Sequence, residues 1–186
     1  MPRYAMVIDE RRCIGCMACI AACKAENEVP PGSFRTRVRE TVEGKFPYLR
    51  MEIRSELCNH CDNPPCVYNC PTQASYKDEE TGMVLLAKEK CVGCKACVAA
   101  CPYDARYVNH EKGVVDKCTF CSHRVAKGET TACVTTCVGG SRVFGDLDDP
   151  KSLVSQLLAL HPAETLLASA GTEPRVFYIR RSGKPK

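Results

Sequence analysis

The chain has 186 residues, 16 of them cysteine, with 6% aromatic residues, no tryptophan and a formal charge of +4. Such a length suits one domain or two small ones. With few aromatic residues to build a large apolar core, covalent or metal staples are expected. The longest apolar stretch, residues 153–167, is broken by Gln156, His161, Pro162 and Glu164, which excludes a spanning helix of roughly 20 apolar residues. Met1-Pro2-Arg3-Tyr4 has no basic region followed by an apolar one, so no secretory leader is expected.

In chain order, residues 4–9 (YAMVID) read as a short strand leading into a cysteine loop, and residues 18–25 as a small-residue helix carrying Cys23 and stopped by Val29-Pro30-Pro31-Gly32. Residues 34–42 alternate Phe34, Thr36 and Val38 with arginines, the period of a half-exposed strand. Residues 48–53 read as its partner, with the turn at Glu43-Gly44. Asn63-Pro64-Pro65 predicts a loop leading into a short helix bearing Cys70. Residues 74–76 with 83–86, and 106–109 with 114–116, predict two hairpins. Asp149-Pro150 reads as the N-cap and first position of a helix through about Leu160. Residues 175–179 read as a final strand and 182–186 as a loose tail.

The cysteines fall into four groups, each closing with Cys-x-x-x-Cys: Cys13, Cys16, Cys19, Cys23; Cys58, Cys61, Cys66, Cys70; Cys91, Cys94, Cys97, Cys101; Cys118, Cys121, Cys133, Cys137. Groups one and three have the compact C-x2-C-x2-C-x3-C spacing in which three cysteines hold one [4Fe–4S] cluster and the fourth reaches another. The fourth group delays its third cysteine by the insert 122–132. A disulfide scaffold fits poorly, because the short Cys-x-x-Cys loops make a weak framework. Structural zinc also takes four thiolates, but its paired knuckles are usually separated by a long spacer. Four cubane clusters are therefore the expectation. An oxidised cluster with four thiolates carries about −2 by formal counting, so four of them bring the protein to about −4 and remove the apparent basicity on which a nucleic-acid reading would rest.

Gly15, Ala18, Gly93 and Ala96 lie between ligands, where small side chains leave backbone N–H groups free to approach the sulfides. Pro71 and Pro102 follow the closing cysteines of the inner groups. Lys24 and Lys117, beside cluster cysteines, read as ordinary solvated charges, with tuning of a cluster potential as the alternative, and His60 as a hydrogen-bond donor or filler rather than a ligand. There is no Cys-x-x-Cys-His, no dinucleotide or phosphate-binding glycine loop and no legible acid–base or nucleophile pair. The expectation is a chain that moves electrons and does no bond chemistry.

The phrases ACKAENEVPPG (22–32), CNHCDNPPCVYNCPT (58–72), CVGCKACVAACPYDARY (91–107), KCTFCSHR (117–124), FGDLDDP (144–150) and RVFYI (175–179) carry a resemblance. The chain resembles the four-cluster iron–sulfur subunit of dimethyl sulfoxide reductase-type molybdopterin oxidoreductase complexes, most of all the polysulfide and thiosulfate reductase branch. The resemblance implies an α+β fold of two pseudo-symmetric ferredoxin-like domains with short strands, short helices and long loops. It implies an outer domain (1–42 with 110–150), an inner one (43–109), and a C-terminal helix and tail (151–186). It implies four [4Fe–4S] clusters, held by Cys13, Cys16, Cys19 and Cys137; by Cys23, Cys118, Cys121 and Cys133; by Cys58, Cys61, Cys66 and Cys101; and by Cys70, Cys91, Cys94 and Cys97. The implied partners are a large molybdopterin catalytic subunit, with molybdenum or tungsten, and an integral membrane quinol-interacting subunit. The implied place is the extracytoplasmic face of the membrane, reached through those partners, with the cytoplasmic face as the alternative. The terminal acceptor would be polysulfide, thiosulfate, tetrathionate or a similar inorganic compound. The competing functions are a soluble polyferredoxin and a zinc-stabilised interaction module.

Overall fold

The computed structural model describes residues 2–181; the tail expected at 182–186 lies outside them. Strand β1 (Tyr4–Asp9) leads into the first cysteine loop and helix α1 (Ala18–Asn27), which ends at left-handed Glu28, ahead of the proline pair. A long hairpin follows, β2 (Thr36–Lys45) with β3 (Tyr48–Leu57). Then come α2 (Pro65–Tyr68), the hairpin β4 (Ser75–Lys77) and β5 (Val84–Leu86), and α3 (Ala96–Ala99). The hairpin β6 (Arg106–Asn109) and β7 (Val114–Lys117) precedes α4 (Ser122–Val125) and α5 (Ala132–Thr135). The chain closes with β8 (Arg142–Asp146), α6 (Leu153–Leu160) and β9 (Val176–Ile179).

Strand β1 is central in a three-stranded sheet, antiparallel to β8 and parallel to β9. It reads as a continuous apolar run because both faces are covered. Met6 and Ile8 face a core containing Phe120, Tyr178 and the cysteines Cys19, Cys58, Cys118 and Cys133. Ala5 and Val7 face Val154 of α6 and Ile179. Burying each large apolar side chain here contributes roughly 1.5–3 kcal/mol. The helices pair across sequence: α1 packs on α5 and α2 on α3, so group one meets group four and group two meets group three. This is the α+β arrangement of two ferredoxin-like units expected above.

Three local readings are corrected. The β2–β3 ladder runs to Lys45 opposite Tyr48, so the turn is Phe46-Pro47 and not Glu43-Gly44. Gly44, at φ +97°, uses its freedom inside the ladder, where a side chain would strike the Tyr48 carbonyl. Helix α2 carries Cys66, and Cys70 lies beyond its end, because Pro65 starts the turn so early. Helix α6 starts after Ser152. Asp149 instead closes a turn, accepting from the Lys151 N–H at 2.8 Å through its carboxylate and from the Ser152 N–H at 3.0 Å through its carbonyl.

Opposed residues of an antiparallel ladder share a face. One face of the β2–β3 arm therefore carries Val38, Val42, Leu49, Met51 and Ile53, and the other mostly charged residues. The alternation is half-buried only near the base; Val42, Leu49 and Met51 are exposed, as is Phe46 at the tip.

Candidate metal centres

The cysteine loops are built by left-handed backbone. Gly15 (φ +70°) and Met17 (φ +59°) curl the loop before α1; Gly93 (φ +66°) and Lys95 (φ +63°) repeat this before α3. At Gly93 a side chain would stand 2.6 Å from the Gly113 carbonyl, so the glycine is required by the packing of this loop on the β6–β7 hairpin as well as by its φ. Met17 and Lys95 show the same conformation without glycine, a correspondence that the repeated spacing could have revealed.

Three cavities are each bordered by four cysteines. Cys13, Cys16, Cys19 and Cys137 border one. Cys23, Cys118, Cys121 and Cys133 border a second. Cys58, Cys61, Cys66 and Cys101 border a third. Each takes three cysteines from one group and one from another. Of the remaining four, Cys97 faces Cys66 and Cys70, Cys91 packs on the Cys66–Cys97 cluster, and Cys94 is exposed on the same loop. Cys118 packs in one buried cluster with Cys58 and Cys133, and borders the same cavity as Cys23. Cys16 and Cys94 are the two exposed cysteines among the described residues.

Among the described residues no three His, Cys, Asp or Glu side chains converge closely enough for a single metal ion. The thiols instead surround a space. Burial, reinforced by neighbouring thiols, pushes Cys23 up to about 12; burial also takes Cys61 to about 12 and Cys118 well above the ordinary thiol range. Such groups become thiolates when a strongly cationic core binds them. Backbone N–H groups already point at sulfur, from Ser141 to Cys137 at 3.2 Å, Ser75 to Cys70 at 3.3 Å and Phe120 to Cys118 at 3.4 Å.

Buried cations lie among these sets. Arg142 donates to Thr36 Oγ1 at 2.5 Å and to Ser55 Oγ, while its Nε has no partner in the protein. Arg106 donates to Ser75 Oγ at 2.6 Å, and its Nη1 is likewise unpartnered. Lys117, fully buried, donates to the Val84 carbonyl and, at 2.7 Å, to that of Cys118. Leaving a buried donor unmade costs about 1–3 kcal/mol. Donors of this kind beside four-thiol cavities fit a bulky, anionic, sulfide-bearing group.

Residues 49–147 match the 4Fe–4S dicluster domain family, and residues 12–74 match a second family of the same description. A tetrathionate reductase subunit of Salmonella typhimurium is 49% identical over 182 residues, covering 95% of this chain and 72% of its own length. Its namesake in Archaeoglobus fulgidus is 45% identical, with 97% and 84% covered. The arsenate respiratory reductase iron–sulfur subunit of Shewanella sp. is 40% identical, with 97% of each chain covered. The chain belongs to the 4Fe–4S dicluster family of iron–sulfur reductase subunits.

The cofactors of this dicluster subunit are four [4Fe–4S] clusters. Among its described residues no helix is long and apolar enough to cross a membrane. Two expectations about its side chains are corrected. Lys117 is not a solvated charge, because β7 carries it into the interior between Val84 and Cys118. Lys24 is also tied down, donating to the Pro30 and Ser33 carbonyls at 3.1 and 2.7 Å. His60 is buried and stacked on Phe120 at 3.7 Å, and its Nδ1 accepts from the Val84 N–H at 3.1 Å. Burial, with Lys117 and Arg106 nearby, pushes its pKa well down and keeps the ring neutral. The arginines Arg106 and Arg142 do not stand out in the sequence. Their one signal is a shared place, five residues after the last cysteine of groups three and four.

Proposed function

We propose that this chain is the electron-transfer subunit of an anaerobic respiratory reductase complex. In this reading its clusters form a row, held in order by Cys13, Cys16, Cys19 and Cys137; Cys23, Cys118, Cys121 and Cys133; Cys58, Cys61, Cys66 and Cys101; and Cys70, Cys91, Cys94 and Cys97. The observation that carries the reading is the crossing of cysteines between groups around three cavities, with Cys118 beside Cys58 linking the two pairs. When bound, such clusters hold and release single electrons at potentials spanning roughly −700 to +450 mV. The chain's own part is to hold the thiolates, aim N–H groups at sulfur and exclude water. The outer unit, 1–42 with 110–150, and the inner unit, 43–109, each hold two clusters; 151–186 follows them, and the β2–β3 arm straddles the boundary.

The partners in this reading are a large molybdenum or tungsten pterin catalytic subunit and an integral membrane subunit that handles quinol. The complex sits on the extracytoplasmic face and reduces an inorganic acceptor of the tetrathionate, thiosulfate or polysulfide kind. The names of the relatives, which include reductase subunits for tetrathionate and arsenate, support the class. So do the exposed Ile14 and Met17 beside Cys16, since uncovered apolar patches mark partner surfaces. The test is an anaerobic pull-down of the chain from solubilised native membranes, with partners identified and iron, sulfide, molybdenum and tungsten assayed. Recovery with a pterin-binding subunit and a membrane subunit is expected. Recovery alone with iron and sulfide would favour a soluble polyferredoxin, and zinc without sulfide a structural module.

A further inference from the structure

One buried cation occupies each junction between neighbouring cysteine sets. Arg142 borders both the Cys13–Cys137 cavity and the Cys23–Cys133 cavity. Arg106 borders the Cys58–Cys101 cavity and faces Cys66, Cys58 and, in the next set, Cys97. Lys117 stands at the middle junction, facing Cys58 and Cys118. The two arginines are structural counterparts. Each opens a strand, β8 or β6, five residues after a closing cysteine, and each is anchored through Nη2 on hydroxyl groups. Arg142 is 2% exposed and Arg106 3%. Among the described residues neither has a carboxylate within ion-pair distance, whereas the similarly buried Arg35 is answered by Asp116.

An arginine keeps its proton, and a buried charge persists only where an opposite charge answers it. Among the described residues these arginines face cysteines, Cys133, Cys19 and Cys118 for Arg142 and Cys66, Cys58 and Cys97 for Arg106, which supply the answering negative charge once they are thiolates. Both guanidiniums also keep an N–H without a protein acceptor, Nε of Arg142 and Nη1 of Arg106, on side chains that border the cavities. We propose that Arg142 and Arg106 are potential-setting residues, each placing one fixed positive charge between two neighbouring [4Fe–4S] sites and raising the reduction potential of both. This rests on the ligand sets proposed above. One electron enters a site, taking its formal charge from about −2 to about −3, and the same electron leaves for the next; no bond forms or breaks and no proton is required. A fixed cation favours the more negative state, and a shared one favours it at both sites, so an electron is not trapped on one side of the junction.

The experiment is a redox titration of the purified complex followed by electron paramagnetic resonance, for wild type, R142Q, R142K and R106Q, with iron and sulfide counted in each. R142Q is expected to lower the potentials of the two clusters flanking residue 142 by tenfold or more in reduction equilibrium, about 59 mV for a one-electron step, and to leave the other two in place. R142K should titrate like wild type, and R106Q should shift the opposite pair. A full cluster complement in R142Q with unmoved potentials, an equal shift of all four, or R142K shifting as far as R142Q would overturn the proposal. If R142Q loses clusters, R106Q decides by the same criterion on its own pair. Fewer than four clusters in the wild type would sink the ligand assignment rather than the role of the arginines.

Discussion

Replacing Asp116 with asparagine removes the anion from a buried ion pair. Arg35 Nη2 donates to both carboxylate oxygens at 2.9 Å, and the two side chains are 6% and 5% exposed. The same carboxylate accepts from the Tyr107 hydroxyl at 3.1 Å and the Lys117 N–H at 2.7 Å. Removing one partner of a buried pair costs about 3–5 kcal/mol, mostly because the other charge is stranded. Asparagine keeps one acceptor, so the lower end, about 3 kcal/mol, applies. For a chain of this size, each kcal/mol moves the midpoint by about 2–4 °C, so Tm should fall by roughly 6–12 °C. Burial alone would push the Asp116 carboxyl up, but the charge and hydrogen bonds of Arg35 outweigh it and hold the pKa below the ordinary value. A folded-state pKa below the unfolded one, about 3.9, contributes stability that is fully present above the unfolded value and lost as pH falls through the folded value. The gap between wild type and D116N should therefore be flat from about pH 8 to about pH 5. Anaerobic melts followed by cluster absorbance measure it. A drop below about 2 °C, or a gap that narrows as pH falls from 8 to 5, would refute the reasoning. Arg35 also faces Cys118, so removing the carboxylate should raise a neighbouring cluster potential, opposite in sign to R142Q.

Gly93→Ala puts a side chain 2.6 Å from the Gly113 carbonyl at φ +66°, adding about 1–2 kcal/mol of left-handed strain to the clash. It should lose about one cluster of iron and sulfide. Gly128→Ala, at φ +75° but in open space, should keep the full complement. Cys94→Ser should slow quinol-linked turnover of the complex much more than turnover with an artificial donor that reduces the catalytic subunit directly; equal loss in both assays would indicate failed assembly. Phe120→Ala empties a buried ring site beneath His60 and should cost about 3–5 kcal/mol, read as a lowered denaturant midpoint.

What is legible in the sequence is whatever depends on spacing. The cysteine groups, β1 and the three hairpins follow from local periodicity and turn residues. What is not legible depends on which residue takes a position that two could take. Glu43-Gly44 and Phe46-Pro47 are both turn pairs, and the ladder register chooses the second. Asp149 and Ser152 can both cap a helix, and the chain uses Asp149 for a turn instead. Side-chain burial is the least legible of all. Lys117 beside a cysteine reads like any solvated lysine until β7 is seen to run under the β4–β5 hairpin, with Val84 above its ammonium. Exposure is set by what packs over a strand, and that is written far away in the chain.

Charge makes the connection between fold and function. Without its cofactors the protein is a basic chain, +4 overall, with Arg106, Arg142 and Lys117 buried and unpaired with any carboxylate among the described residues. A stable apolar interior would not hold three such groups. With four clusters of about −2 each, the same cations sit in an anionic interior and each becomes favourable. Cluster binding and folding are thus coupled twice, through the thiolates that staple the loops and through the cations whose burial the clusters make possible. A chain depleted of iron should accordingly lose the packing of β6, where Arg106 begins, before it loses the β8-β1-β9 sheet, which α6 backs on its cysteine-free face. Hydrogen exchange on the iron-depleted chain reads this order directly, and β6 protected as strongly as β1 would contradict it.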